Sequence, residues 1–253
     1  YNAQKGSKDI KKMAEDSKEV FRITAMNGAC RCKYLQINLF LQHKLTFLIA
    51  MENCLVLPAC YLPPLSYFSV IQSHPSPILL EKHEHFPKQT YRTRASIYAA
   101  NGKLDLIIPV QRGRSGHTPM GEVQISYEWD WQRLHWSSLQ TAYRSAAYFE
   151  YYEDEFALFY QQRYDRLFDY NAGLLALLLR LLKIERTFSF TENYRQDYPE
   201  VCDFRQRIHP KKPPIVSPVR SYYQVFSDRH GFISDLSIVD LLFNHGPRAK
   251  EFL

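Results

Sequence analysis

The sequence predicts an α+β fold, with α/β as the alternative. Three observations predict it. Short apolar runs bounded by proline and glycine fill the first half. Apolar positions at helical spacing fill residues 131–182. A short strand and a short helix then close the chain, and strands followed by helices with a return to strand is the α+β order. The expected domain is single, with a strand-rich N-terminal half, a central helical segment and a short C-terminal helix.

Each element has a local reason. Asn53 to Leu57 is an apolar run suited to a buried strand. Pro58, Pro63 and Pro64 end that strand, and the paired prolines favour a helix start over Leu65 to Gln72. His74-Pro75-Ser76-Pro77 is a turn, and Ile78 to Glu81 a second strand. Tyr91 to Ala99 and Leu104 to Val110 read as a hairpin around Asn101-Gly102, the strongest short hairpin signal in the chain. Gln111 to Gly121 reads as a loop and Val123 to Ser126 as a further strand. Trp131 to Leu182 carries two or three helices, and Leu174 to Leu182 is apolar almost all round, as in a buried helix. Phe188 to Phe190 is a short strand, Asp197 to Pro218 a proline-rich basic loop, and Tyr222 to Phe226 an extended segment. Leu236 to Phe243 is a helix stopped by Gly246-Pro247.

Charge separates the chain into two parts. Residues 1–50 hold nine Lys and Arg against four Asp and Glu, out of 32 and 26 in the whole chain. Residues 51–253 are therefore nearly neutral, with 23 basic and 22 acidic side chains. That argues against nucleic-acid binding, which needs clustered positive charge on the folded body. Residues 34–50 are too interrupted by polar groups for a membrane span, so no transmembrane segment is expected. Met51 opens an apolar strand, and the expected natural start is Met51, with residues 1–50 an upstream extension. Five cysteines without regular spacing argue against a disulfide framework and fit a reducing cytoplasm. The 18 tyrosines predict a core with polar tips, and an aromatic pocket.

The segment Glu81 to Arg94 concentrates the candidate chemistry. If Glu81 to His85 is extended, Glu81, His83 and His85 share a face. Two histidines so placed can reach one metal ion beside a carboxylate, but this spacing is more often a surface or hydrogen-bonded pair, and no metal is expected. Alternatively, one histidine is a general base oriented by Glu84 or Glu81. A polar strand end without chemistry is the third reading. Arg92 and Arg94, two apart, would share a strand face and grip a phosphate or carboxylate, or else form a solvated basic edge. Lys88 adds a further cation. His135 lies on one helix face with Leu139, Ala142 and Ala146, where a satisfied core histidine is the commoner outcome. Tyr148, Tyr151 and Tyr152 line a pocket or fill the core. Cys60 is a candidate thiol, while Cys54 and Cys202 read as small core residues. Walker and Rossmann phosphate loops, a Gly-x-Ser-x-Gly elbow, Cys-x-x-Cys and Asp-x-Asp are all absent. The sequence names no cofactor and fixes no oligomeric state.

Leu57-Pro58 followed by Tyr61-Leu62-Pro63-Pro64-Leu65-Ser66-Tyr67-Phe68 resembles the opening of the WbqC-like protein family. His83 to Arg94 resembles the family's next block, with Arg94 on its arginine and Thr93 in place of its asparagine. Many relatives carry Asp and Gln where His83 and His85 stand. Leu104 to Val110, the pair His135 and Tyr143, and Leu236 to Asn244 resemble later blocks, so the likeness covers about residues 53–247 within a domain of 51–253. The resemblance implies a bacterial, cytoplasmic transferase of surface-polysaccharide (O-antigen) biosynthesis. It would place an aminoacyl or acyl group on a nucleotide-linked amino sugar. On that reading the catalytic candidates are His83, Glu84, His135 and Asp240. Lys88, Gln89, Tyr91, Arg92, Arg94, Tyr143 and Ser237 would bind substrate. The alternative is a non-catalytic binding protein of the same fold.

Overall fold

The structure is a computed structural model, and it describes residues 54–111, 118–199, 202–215 and 220–253. The expectations for Met51 and the segment before it lie outside the described residues. The architecture is α+β, with one parallel unit inside it.

Strand β1 (Leu55–Pro58) is buried at every position, as a strand covered on both faces must be. It leads through the Pro63-Pro64 corner into α1 (Leu65–Ser73). Pro64 occupies the cap position and brings no side-chain acceptor, so the cap comes from far along the chain. Ser66 donates its N–H and its hydroxyl to the Asp235 carboxylate at 2.8 and 3.0 Å. Strand β2 (Ile78–Glu81) returns parallel to β1, pairing Leu55 with Ile78 and Pro58 with Glu81. The later β5 (Phe188–Phe190) adds to the far side of β2, giving the order β1-β2-β5.

A separate hairpin joins β3 (Arg94–Ala99) to β4 (Gly102–Ile107). Gly102 sits at φ 98°, a left-handed value that glycine takes without strain. The first strand begins three residues later than the sequence suggests. The amides of Thr93 and Arg94 both donate to the Thr90 carbonyl, and that turn curls residues 91–93 out of the strand. Val123 to Ser126 forms isolated bridges to Val110 and Arg166 rather than a strand. Residues 222–224 join no strand, and Ser227–His230 forms a short helix, α5, that the sequence does not announce.

Three helices come after the hairpin: α2 (Trp131–Tyr143), α3 (Phe149–Gln161) and α4 (Leu167–Leu181). Asp130 caps α2 by accepting from the Arg133 N–H. Helix α4 is buried over most of its surface. The last helix, α6 (Ile238–His245), is capped by Ser237 and ends at Gly246, whose φ of 55° turns the chain beneath Tyr148. Its whole apolar length is buried, and Phe243 meets Tyr143, Phe149 and Phe156 edge-on or tilted.

The core has the expected polar tips. Tyr61, Tyr67, Tyr98 and Tyr143 are buried, and each hydroxyl has a partner. Tyr151 is exposed instead, so the tyrosine run at 148–152 does not line a pocket as a unit. No helix among the described residues is long and apolar enough to cross a membrane.

Candidate functional site

Ligands of parallel sheets gather outside the carboxyl ends of the strands. Here those ends deliver Pro58 from β1, Glu81 from β2 and Phe190 from β5. Polar groups collect there. Glu81 is fully buried, and its Oε1 accepts from the His83 N–H at 2.8 Å and from the Thr191 hydroxyl at 2.9 Å. Its Oε2 accepts from Arg205 Nη1 at 3.1 Å. Arg205 also grips Asp203, with Nη2 donating to Oδ2 at 2.6 Å. Beside it, Arg92 holds Glu84 with both prongs, Nε to Oε1 at 2.7 Å and Nη2 to Oε2 at 2.8 Å. Arg92 Nη2 also donates to the Arg205 carbonyl, joining the two groups into one buried network. Burial pushes the Glu84 carboxyl up, and the Arg92 charge pulls it back.

This network changes the reading of the arginines. Arg92 and Arg94 do not share a strand face. Arg92 lies in the turn before β3, is 1% exposed, and spends its fork on Glu84. Arg94 stands at the start of β3 with Nη1 3.7 Å from Asp105. The histidines also separate. The chain leaves β2 at Glu81 and bends at His83 and Glu84, so alternation does not continue. His83 is half-buried and His85 exposed. No cluster of three His, Cys, Asp or Glu side chains suited to a metal occurs among the described residues.

Two further candidates sit in cages of their own. His135 is 4% exposed, and its Nδ1 lies 3.0 Å from the Tyr61 hydroxyl, which also meets Tyr160. Burial lowers its pKa to about 4, with the Ile107 carbonyl partly opposing, so the ring is neutral near pH 7. It is a satisfied core histidine. Asp240 is fully buried, with no cation paired to it among the described residues. Tyr143 donates to its Oδ1 at 3.0 Å; Tyr222 and Gln224 donate to its Oδ2 at 2.7 and 2.9 Å. Burial pushes its carboxyl up to about 6, against the pull of those three bonds. Ser237 caps α6. Cys60 is buried and its thiol is pushed up to about 12, which removes it as a nucleophile.

The remaining candidates lie at the rim. Lys88 and Gln89 are exposed, Gln89 at φ 57°. Tyr91 is half-buried; burial raises its pKa, as do Asp235, Cys60 and Asp105 within electrostatic reach. Two shallow concavities run along the outer face of α2, around Ser137 and Thr141, and include none of these residues. Their lining is small and uncharged apart from Arg144, so the polar strand ends remain the better candidate.

Sequence reasoning missed Arg205, Asp203 and Lys82. Asp203-Phe204-Arg205 looks like part of a basic loop, yet Val56 donates to the Cys202 carbonyl and Phe204 to the Val56 carbonyl, which fixes it along β1. Lys82 has its ammonium over the rings of Phe168 and Phe190, 5.7 and 6.0 Å from their centres. Gly121 lies against it so closely that a Cβ there would meet Lys82 Cγ at 2.7 Å.

Residues 59–209 match the WbqC-like protein family. The chain belongs to that family. The matched span contains β1's exit, the polar network and all three long helices of this WbqC-like chain. It is also similar to the uncharacterized protein Rv1507c of Mycobacterium tuberculosis, at 24% identity over 228 residues. That alignment covers 80% of this chain and 98% of the relative. No solved structure matches this chain.

Proposed function

We propose that this WbqC-like protein is a cytoplasmic transferase of bacterial surface-polysaccharide biosynthesis, placing an aminoacyl or acyl group on a nucleotide-linked amino sugar. Family membership over residues 59–209 is the observation that carries the reading. The polar strand ends supply a place for it. There the sugar amine attacks the carbonyl carbon of an activated donor, a C–N bond forms, and the donor's leaving group departs with its bonding electrons. His83 is the residue to take the amine proton, because it is half-buried at the strand end while His135 is enclosed. Glu84 acts at one remove, by holding Arg92.

A second reading has its own support. His135, Asp240 and Arg92 are occupied by internal partners, so the candidate groups do not converge as an acid–base set. That favours a binding protein without chemistry. Deleting the gene and weighing the surface glycans tests both. Loss of an acyl or aminoacyl mass, restored by the wild-type gene and not by His83→Ala, is expected. An unchanged glycan refutes the pathway assignment, and full restoration by His83→Ala favours the binding reading.

A further inference from the structure

We infer that the turn carrying Lys88 and Gln89 and the loop carrying His209, Lys211 and Lys212 form a binding site for a diphosphate group on a soluble ligand. The two segments are far apart in sequence and meet in space: Lys211 Nζ donates to Gln89 Oε1 at 3.5 Å. The loop is held in shape. Lys212 Nζ donates to the Gln206 carbonyl at 2.8 Å, and the Lys211 N–H donates to His209 Nδ1 at 3.1 Å.

Charge balance sets this patch apart. Lys88, Lys211 and Lys212 are exposed, and no carboxylate pairs with any of them among the described residues. The carboxylates of the neighbouring network are already taken, Glu84 by Arg92, and Glu81 and Asp203 by Arg205. The field at His209 is accordingly positive. Its pKa is lowered first by partial burial and then by Lys212, Lys211 and Arg92, with no acid opposing. Gln89 adds strain of the kind that clusters at binding sites, a residue other than glycine at φ 57° whose side chain holds Lys211.

The chemistry selects the ligand. Ammonium groups are compact point charges that suit tetrahedral phosphate oxygens, and Lys211 and Lys212 beside His209, with Lys88 on the facing turn, offset the charge of a diphosphate. A long polyanion needs a charged track, whereas residues 51–253 are nearly neutral. The inference leans on the proposed function only for the group attached to the diphosphate. It moves the anion contact from Arg92 and Arg94 to the lysine rim.

Calorimetric titration of the full chain with inorganic pyrophosphate, orthophosphate and uridine diphosphate tests it. Pyrophosphate and uridine diphosphate should bind more tightly than orthophosphate, and added salt should weaken both. Lys211→Ala with Lys212→Ala should weaken pyrophosphate by about tenfold or more, as losing two charge-assisted contacts requires. Arg144→Ala, at the C-terminal cap of α2 and paired with Glu153, should change nothing. Each lysine gives up only one exposed side-chain hydrogen bond, so a thermal melt should stay close to the wild type. Absence of pyrophosphate binding, or equal binding by the double variant, overturns the site. So does lysine-dependent binding to anionic lipid vesicles without any to pyrophosphate. Pyrophosphate binding with an unchanged glycan on gene deletion would leave the site standing and remove the transferase reading. The reverse result would remove the site alone.

Discussion

Replacing Arg92 by Met separates a structural arginine from a substrate-binding one. The change keeps much of the side-chain volume and removes the guanidinium. Glu84 then loses two short charge-assisted bonds, and the Arg205 carbonyl loses a donor. With Glu84 only 4% exposed, its charge is left without a direct partner and with only the weaker influence of Arg205 to offset it. Breaking a buried pair from one side costs about 3–5 kcal/mol, a large share of the roughly 5–15 kcal/mol by which domains are stable. At a urea slope of about 2 kcal/mol per molar, the midpoint should fall by about 1.5–2.5 M. Trp131 is buried in the core, so its fluorescence can track the transition. Adding Glu84→Gln should recover part of the loss, because the orphaned charge disappears. A single-variant loss below about 1 kcal/mol, or a double variant no more stable than the single, would refute the argument. Lost ligand binding with full stability would return Arg92 to the substrate.

The two caged groups give opposed pH limbs. Asp240 has a folded pKa raised to about 6 from an ordinary value of 3.8, so its contribution is full below the ordinary value and is lost as pH rises through 6. Two pH units correspond to about 3 kcal/mol, and Asp240→Asn should flatten that part of a denaturation profile measured from pH 4 to 7. His135 runs the other way. Its contribution is full above pH 6.5 and is lost as pH falls to about 4, a limb that His135→Gln should reduce. Gly121→Ala should lower stability by about 1–3 kcal/mol by overpacking Lys82, and Lys82→Ala should restore most of it in the double variant, measured by urea denaturation. Peptide mapping after brief exposure to a thiol reagent at pH 8 should find Cys60 unmodified in the native protein and modified in urea.

Much of the fold could be read from local pattern. The β3–β4 hairpin, the three central helices, β5 and α6 each have a periodicity or a turn signal inside their own span. Residues 91–93 misled because their apparent alternation is overruled by one carbonyl, that of Thr90, taking two amides. The site was harder to see. Whether an arginine is free or spent depends on a partner across a turn, as with Glu84, or more than 100 residues away, as Glu81 is from Arg205. Asp240 and His135 have the residue types of a catalytic pair, and only the tyrosines around them settle their geometry. His135 lies on an apolar helix face, 4% exposed and against Tyr61 and Trp131.

The front of the domain is sewn to its tail. Val56 is bonded to Cys202 and Phe204, α1 is capped by Asp235, and the Leu65 N–H donates to the Leu236 carbonyl. During synthesis, therefore, β1 and α1 are made before the other described elements but wait for residues about 146 to 171 positions later. Until then the apolar edge of β1 and the start of α1 have no native cover. Such a chain exposes sticky surface to its neighbours while it is being made. Low temperature or slowed translation during expression should thus change its soluble yield more than it changes the stability of the finished fold.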